Sequence, residues 1–397
     1  NLSLDARRIP NLVWNPARTT GLWDTDPGNR PWLDGTRPSS FENTNNVTFG
    51  DAPNDIAVTV DDFGVSPGTM SVTNAAKTYT FTGGPIGGNL AKSGAGTMVL
   101  ASANQFAQVD VMGGTLRVSG SLGSDAIVTV GSSGTSVATF EAAATQTVKT
   151  LTVNNGGVVS VTRGDVSGAP ASVLIVGDNL NPAPLTIQTG GTNTGRVDVG
   201  TGGLVVDHPT GGDAASLATV RGYIASGYNG AGGGAAVWSG AGIVSSGAAA
   251  DSSKSVGYAL ATEVLPFANG ATTDTFMGAS VDKSSVVVRF TLAGDATLDG
   301  AVDFNDLVKL AQNYDIADGS RDWNQGDFTY DGNVDFNDLV KLAQNYNVAL
   351  PPDGVPGASA AFEADLARAF SAVPEPGSLA LLSAIGTMLL PRRRRRD

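Results

Sequence analysis

A duplicated segment near the C-terminal end of the sequence constrains the fold more than any other feature. The pattern of residues 295–306 recurs 32 positions later in residues 327–338, and residues 302–314 are repeated without change as 334–346. Each copy begins with a twelve-residue loop that carries oxygen-bearing side chains at positions 1, 3, 5, 9 and 12 and glycine at position 6. This spacing is typical of a loop that wraps a hard cation, because alternate residues point inward and glycine allows a sharp turn.

The two loops predict two calcium sites. Calcium accepts about six to eight oxygen ligands in flexible geometry, and each loop offers carboxylates, a threonine hydroxyl at position 3 and a backbone carbonyl at position 7. The predicted ligands are Asp295, Thr297, Asp299, Ala301, Asp303 and Asp306 in the first loop, and Asp327, Thr329, Asp331, Asn333, Asp335 and Asp338 in the second. Aspartate at position 12 is shorter than the glutamate of an EF-hand and threonine is a neutral ligand, so weak, extracellular-range binding is expected. The alternative is a pair of Asp/Gly-rich turns that bind no ion.

An amphipathic segment follows each loop. Apolar residues recur at i, i+3, i+4 and i+7 in residues 304–314 and again in 336–346, which predicts two helices that pack against each other. Neither helix buries enough apolar surface alone, so bound ions are expected to help fold the pair. This loop–helix, linker, loop–helix arrangement over residues 294–346 resembles the dockerin domain. The resemblance implies a small α-helical module that binds a cohesin-like protein partner.

The dockerin resemblance also assigns partner-binding residues. In familiar dockerins, small hydroxyl residues at loop positions 10 and 11 touch the cohesin. Those positions are Phe304 and Asn305 in the first copy, and Phe336 and Asn337 in the second. Glutamine and asparagine replace the usual basic pair further along each helix, so the identity of the partner is left open. The near-identity of the copies predicts two opposite binding orientations related by a half-turn.

The sequence before the duplication predicts short strands and tight turns. Glycine accounts for 52 of the 397 residues and charged residues for only 15%, so charged helix formers are scarce. From residue 56 to about 206, short β-branched runs alternate between apolar and polar residues and are separated by glycine pairs, as strands with one buried face require. Their spacing fits either the coils of a parallel β-helix or the strands of a sandwich.

One segment favours the β-helix. Residues 87–118, which run from a Gly-Gly-Asn-Leu sequence to a Gly-Gly-Thr-Leu-Arg-Val sequence, resemble the autotransporter-associated β-strand repeat. The resemblance implies a right-handed β-helix. The predicted fold is therefore mainly β, with a right-handed parallel β-helix-like body followed by a small α-helical domain, the duplicated calcium loop–helix, dockerin-like pair.

The C-terminal end of the sequence predicts export. A Val-Pro-Glu-Pro sequence at 373–376 precedes an apolar run, 377–390, and five arginines, 392–396. The run is shorter than the roughly 20 residues that span a bilayer, and the arginines are expected on the cytoplasmic side. The tail resembles the PEP-CTERM sorting signal, which implies transient membrane insertion, exosortase processing and delivery to the outer surface of a Gram-negative-type bacterium. An ordinary short membrane anchor is the alternative, and both place the body outside the cytoplasm.

The sequence thus divides into six predicted regions. They are a Trp- and Asn-rich cap (1–55), the β-helix-like body (56–206), its Gly-rich closure (207–290), the dockerin-like calcium-binding pair (294–350), a Pro- and Ala-rich linker (351–372) and the sorting tail (373–397). Because the sequence begins at Asn1, a fragment or a processed N-terminus is expected.

Candidate catalytic residues are scarce. The chain has one histidine, His208, and no cysteine. Its neighbour Asp207 would point to the opposite face of a strand, so a surface or turn histidine is expected. A net charge of −13 without a basic face argues against nucleic acid as a partner. Paired carboxylates could cleave a glycan, but the acids of the β-region are scattered: Asp110, Asp125, Glu141, Asp165, Asp178 and Asp198.

The sequence therefore predicts a secreted or cell-surface, non-catalytic scaffold or adhesion protein. It would dock to a protein partner through the calcium-dependent module, with surface polysaccharide as a further candidate ligand. Two alternatives are left open. One is an extracellular polysaccharide-degrading β-helix enzyme that carries a dockerin, and the other is a purely adhesive or matrix protein that does not need the duplicated region.

Overall fold

The computed structural model describes residues 9–15, 17, 21–52, 54–132, 137–162, 171–229 and 237–350. The predicted linker, the sorting tail and Asp165 lie outside these ranges. The described part of the protein is mainly β with long parallel sheets, which confirms the predicted fold class at that level.

The strands of the described residues are short and are numbered in chain order. They are β1 (Asn11–Trp14), β2 (Leu22–Trp23), β3 (Trp32–Asp34), β4 (Arg37–Ser39), β5 (Asn46–Phe49), β6 (Ile56–Val60), β7 (Thr69–Val72), β8 (Thr78–Gly83), β9 (Gly87–Lys92), β10 (Thr97–Leu100), β11 (Gln105–Val111), β12 (Gly114–Val118), β13 (Ile127–Val130), β14 (Ala138–Ala142), β15 (Gln146–Val148), β16 (Thr150–Val153), β17 (Gly157–Val161), β18 (Val173–Val176), β19 (Leu185–Ile187), β20 (Arg196–Asp198), β21 (Gly203–Val206), β22 (Gly242–Val244), β23 (Lys254–Leu260), β24 (Thr273–Phe276), β25 (Ala279–Asp282), β26 (Val286–Leu292), β27 (Ala301–Val302) and β28 (Val348–Ala349).

The α-helices of the described residues lie in the C-terminal half of the chain. They are α1 (Asp213–Tyr228), α2 (Ser246–Ala250), α3 (Ala261–Val264), α4 (Phe304–Asn313) and α5 (Phe336–Asn345), with a 3₁₀ turn at Trp323–Gln325. The prediction of a helix after each loop is confirmed by α4 and α5.

Two long sheets form most of the body. In the described residues one has the strand order β19-β16-β13-β11-β9-β7-β5-β1-β3-β4, and the other has the order β2-β6-β8-β10-β12-β14-β17-β20-β22. Consecutive strands from β5 to β14 alternate between the two sheets, and neighbours within each sheet run parallel. Each turn of the chain therefore adds one strand to each sheet, an arrangement compatible with a β-helix-like body.

A third sheet begins at β15. Its order is β15-β18-β21-β26-β23, in which the first three strands run parallel and the last two are antiparallel to their neighbours. The long sheets extend beyond the predicted limits of the body, since β1 and β2 already pair with β5 and β6, and β22 pairs with β20. β26 ends just before the first duplicated loop, so that loop continues a strand of the body.

Alternate residues of each strand point into the body and stack in register from coil to coil. Tyr79, Met98, Leu116 and Phe140 form one such column along β8, β10, β12 and β14, and each is at most 1% exposed. Burying a large apolar side chain contributes roughly 1.5–3 kcal/mol. The alternation of apolar residues in the sequence therefore fixes the register of these strands.

Aromatic rings fill the first coils. Trp14, Trp23, Trp32 and Phe49 are buried, with ring centroids 5.0 Å apart for Trp14 and Trp32 and 5.4 Å apart for Trp23 and Phe49. Such tilted and edge-to-face contacts add to the stability that burial provides. The tryptophans of the predicted N-terminal cap therefore belong to the core of the body.

Lys92 is a charged side chain inside the body. It is fully buried, and its ammonium donates to the carbonyls of Ser93, Gly94 and Gly113 at 2.6, 2.9 and 3.2 Å. Burial lowers the pKa of Lys92 to about 8, because a charge removed from water is disfavoured. The three carbonyls match the three donors of the ammonium group and join the turn of one coil to that of the next.

Candidate metal centre

The last position of each duplicated loop lies in the first turn of the following helix. The carboxylate of Asp303 caps α4 by accepting from the amide of Asn305 at 2.7 Å, and Asp306 accepts from the amide of Asp303 at 2.7 Å. Position 12 of the loop is therefore also the third helical residue of a capping box. The second loop repeats this geometry at the start of α5.

Each loop packs against the helix of the other copy. Gly294 and Gly326 directly precede the loops, with φ angles of +111° and +107°. A Cβ atom on Gly294 would lie 2.7 Å from the Cα of Leu342 in α5, and one on Gly326 would lie 2.8 Å from the Cα of Leu310 in α4. The two copies are therefore related by an approximate two-fold arrangement that requires glycine at both contacts.

Short backbone pairings extend the same exchange between copies. Val302 in the first loop pairs with Val348 after α5, and Val334 in the second loop pairs with Ile316 after α4. Each loop is thus held by the segment that follows the helix of the other copy. A structural change in one loop is therefore expected to shift both α4 and α5.

The first and last carboxylates of the first loop bind its backbone. Asp295 accepts from the amides of Gly300 and Asp299 at 2.9 and 3.2 Å, and Asp306 accepts from the amide and hydroxyl of Thr297, both at 3.0 Å. These bonds fold the loop inward around its carboxylates.

The second loop repeats most of these bonds, and Asp338 also accepts from the amide of Phe328 at 2.9 Å. Asp327 accepts from the amides of Gly332 and Asp331 at 2.9 and 3.2 Å, and Asp338 accepts from the amide of Thr329 at 3.0 Å. The buried hydroxyl of Thr329 lies beside Asp338 but makes no hydrogen bond of good geometry. An oxygen in that state is available to a further partner inside the loop.

Four loop carboxylates are withdrawn from water. Asp295, Asp306, Asp327 and Asp338 are all 0% exposed. Burial, with a smaller contribution from the nearby Asp306 and Asp338 carboxylates, raises the pKa of Asp295 and Asp327 to about 7. Burial also raises the pKa of Asp306 and Asp338. A cation in each loop would relieve this cost, since it would compensate buried negative charge.

The donor set fits calcium, although the side chains are not gathered as in a finished coordination shell. Within the described ranges, no three His, Cys, Asp or Glu side chains converge into a metal-binding group. Asp299 and Asp331 accept from the amides two residues on, at 2.8 Å each, and Asp303 caps its helix. The all-oxygen ligand set with a buried, unsatisfied Thr329 hydroxyl is the chemistry that calcium takes.

The loop pair is joined to the body through Tyr330, at position 4 of the second loop. Its hydroxyl lies 2.8 Å from the hydroxyl of Ser255, donates to the carbonyl of Val256 at 2.8 Å and accepts from the Val256 amide at 3.2 Å. Both partners belong to β23. The Tyr330 ring stacks on Trp323 at 5.4 Å, and Trp323 donates from Nε1 to the carbonyl of Asp295 at 2.6 Å.

Two further sets of contacts join the loop pair to the body. Asn345 donates to the carbonyls of Ser253 and Ala293 at 3.2 and 2.7 Å. Arg221 of α1 donates to the carbonyl of Gly319 at 3.1 Å and lies 3.6 Å from Asp322. These contacts between the loop pair and the body were not predicted from the sequence, in which the tryptophan of the linker between the copies, Trp323, is the signal that best indicates them.

The predicted partner-binding residues face solvent in both copies. Phe304 and Phe336 are 65% and 66% exposed, and Asn305 and Asn337 are also exposed. The contacts between the loop pair and the body use other residues and leave the N-termini of α4 and α5 uncovered. The structure therefore presents two equivalent aromatic positions on opposite copies.

Of the expected surface or turn histidine, the surface location is wrong, because His208 lies in the connection after β21 but is buried. It is 0% exposed, and its Nδ1 lies 3.0 Å from the carbonyl of Pro209 and 4.0 Å from Asp213. Burial raises the pKa of Asp207 to about 6, with Asp282 adding to the rise. The side chain of His208 packs inward at the end of β21, where the sequence pattern alone did not place it.

In the described strands no acid lies opposite Asp110, Glu141 or Asp198 on a neighbouring strand, whereas Asp178 lies close enough to Asp207 to raise the pKa of that carboxyl. Asp110 lies between Ala91 and Thr129 on adjacent strands. Glu141 lies beside Arg117, to which it is ion-paired at 2.6 Å. Asp198 accepts from the amides of Gly200 and Ser246, both at 2.8 Å. Asp125 lies in a turn and Asp178 pairs with Lys149 at 3.2 Å.

No family model, no curated protein and no solved structure matches the chain. Function is therefore inferred from the residues and their geometry. In the part of the chain that the structure describes, no helix is long and apolar enough to cross a membrane. The apolar run at 377–390 lies outside that part.

Proposed function

We propose that the chain is a non-catalytic, secreted or cell-surface scaffold or adhesion protein that docks to a protein partner through a calcium-dependent, dockerin-like pair. The equal exposure of Phe304 and Phe336 on two-fold related helices carries this proposal. Exposed aromatic side chains at matched positions favour protein recognition, because aromatic residues dominate the binding energy of interfaces.

Calcium would be held by the two loops. The ligands would be the side chains at positions 1, 3, 5, 9 and 12, with the backbone carbonyls of Ala301 and Asn333. When bound, the ion supplies positive charge to carboxylates that are buried from water. The chain's own contribution is the capped helices α4 and α5, which fix the direction in which Phe304 and Phe336 project.

The remaining parts of the proposal concern placement. The body would be a right-handed parallel β-helix that acts as a stalk or display surface, and the tail would be a PEP-CTERM signal that directs the protein to the outer surface. A cohesin-like protein is the proposed partner, and surface polysaccharide is a second candidate ligand for the solvent-facing threonine and asparagine residues of the sheets.

The test is binding of the full chain to a panel of cohesin modules, with and without calcium. Binding should need calcium. The double variant in which both Phe304 and Phe336 are changed to alanine should bind its cohesin module at least about tenfold more weakly. Phe63, which is 97% exposed on the body, provides the matched control, because its replacement with alanine should leave binding unchanged. Calcium-independent binding, or equal losses from Phe63 and the two loop phenylalanines, would contradict the proposal.

A further inference from the structure

The two loops share their ligand types but differ in what lies against position 6. In the first loop this position is Gly300, and a Cβ atom there would lie 3.4 Å from Nη2 of Arg289. Arg289 is only 7% exposed, and its Nη1 donates to the carbonyl of Leu298 at 2.8 Å. A buried positive charge therefore lies directly against the first loop.

The second loop has a neutral neighbour at the same place. A Cβ atom on Gly332 would lie 2.5 Å from the carbonyl oxygen of Gly319, in the linker between the copies. Asn333 also holds this linker by accepting from the amide of Gly319 at 3.2 Å. Arg321 is the residue 32 positions after Arg289, and it pairs instead with Asp318 at 2.7 Å.

We infer that the two loops are unequal calcium sites, with the second filled first and the first weakened by Arg289, a cation built into the body. This inference rests on the proposed calcium-binding function and goes beyond it. Both loops carry aspartate at positions 1, 5, 9 and 12 and threonine at position 3. Their formal charge is therefore equal, and the difference must come from the surroundings.

Electrostatics gives the direction of the effect. Two like charges a few ångströms apart repel, and the repulsion is large where the surroundings exclude water. A divalent ion in the first loop would lie near the guanidinium, whereas an ion in the second loop would lie near the oxygen end of a peptide dipole. With partial screening, we expect the first loop to bind calcium at least about tenfold more weakly than the second.

Unequal sites would make the loop pair assemble in two steps. Over a range of calcium concentration the second loop would be loaded while the first was still empty. The first loop would be held in shape by Arg289 and by its direct continuation from β26. Ordering of the pair would then be controlled by the second loop, which carries Tyr330 and its contact with β23.

The experiment is calorimetric titration of the full chain with calcium alone. Wild-type protein should show a tight and a weak site. Asp331→Ala, which removes the position-5 ligand, should abolish the tight site, and Asp299→Ala should abolish the weak one. Arg289→Gln keeps a donor for the Leu298 carbonyl but removes the charge, so it should strengthen the weak site about tenfold. Arg289→Lys keeps the positive charge, so both calcium affinities should stay close to those of wild type. Arg321→Gln, at the equivalent position 32 residues later, is the matched control and should leave both affinities unchanged.

The outcomes separate this inference from the proposed function. Two equal sites, or loss of the tight site in Asp299→Ala, would overturn the inference and leave calcium binding intact. An absence of calcium binding in wild-type protein would overturn the proposed function as well. If Arg289→Gln does not fold, as judged by its circular dichroism, the two aspartate variants still decide which loop fills first.

Discussion

Asn313 and Asn345 occupy the same position in two helices of identical sequence, yet their surroundings differ. Asn345 is 3% exposed and donates to two carbonyls of the body, whereas the amide of Asn313 donates within its own helix to Lys309 at 3.0 Å. Sequence cannot distinguish these residues, because the contact that separates them comes from a strand end some 50 to 90 residues away.

This pair of asparagines gives a prediction with its own control. Replacing Asn345 with alanine should lower the free energy of unfolding by roughly 1–3 kcal/mol, because the buried carbonyl of Ala293 and the half-buried carbonyl of Ser253 lose their donor. The same change at Asn313 should cost less than about 0.5 kcal/mol, as is usual for a partly exposed side chain. Urea unfolding of the full chain measures both. Equal losses would show that Asn345 does not hold the pair on the body.

At the scale of elements, the sequence predicts best where apolar residues follow one strict period. The alternation of Tyr79 and Phe81 in β8 gives the strand and its buried face, and both residues are 1% exposed. The i, i+3, i+4 pattern gives α4 and α5, although it counts Phe304 as part of the apolar face when that ring is exposed. The capping box places position 10 outside the helix–helix contact, and periodicity alone does not include that geometry.

α1 shows why other elements are harder to predict. Its buried residues are Ser216, Leu217, Val220, Ile224 and Gly227, so serine and glycine dilute the apolar stripe. Tyr223 on this helix adds nothing to an apolar periodicity, yet its hydroxyl accepts a hydrogen bond from the amide of Ile187 at 3.1 Å. The helix is specified by what it covers, chiefly β22 at the end of one long sheet together with β23 and β26 of the third sheet, rather than by its own pattern.

The exchange of contacts between the two copies is testable at Gly326. Gly326→Ala should lower the free energy of unfolding by about 2–4 kcal/mol, because left-handed strain of about 1–2 kcal/mol adds to displacement of the Leu310 backbone. Gly319→Ala is the control, since φ is +73° there and nothing lies within 4 Å of the added atom. It should lose about 1–2 kcal/mol by strain alone. Thermal unfolding followed by circular dichroism compares them, and a loss in Gly326→Ala no larger than in the control would argue against the close helix contact.

At the scale of the whole molecule, the loop pair packs against the body through specific side-chain contacts. Tyr330 contacts Ser255 across 75 residues of sequence, and Gly257 leaves room for Leu298 and Trp323 to approach β23 closely. The first loop carries leucine at the position where the second carries Tyr330, and no local pattern marks that difference as a contact. Composition and local pattern therefore could not predict how the loop pair is attached to the body.

In a body built of stacked coils, each coil contacts mainly its neighbours, so a disturbance at one end should stay local. Tyr330→Phe removes the hydroxyl that joins the pair to β23 and leaves the buried Val256 amide without that acceptor, which should cost about 1–3 kcal/mol. Hydrogen exchange should therefore accelerate in β23 and β26 while β8 and β10 keep their protection. Tyr314→Phe, at a ring that is 42% exposed, should change neither region. Faster exchange throughout the body would instead mean that the coils unfold as one cooperative unit and that the pair stabilises all of them.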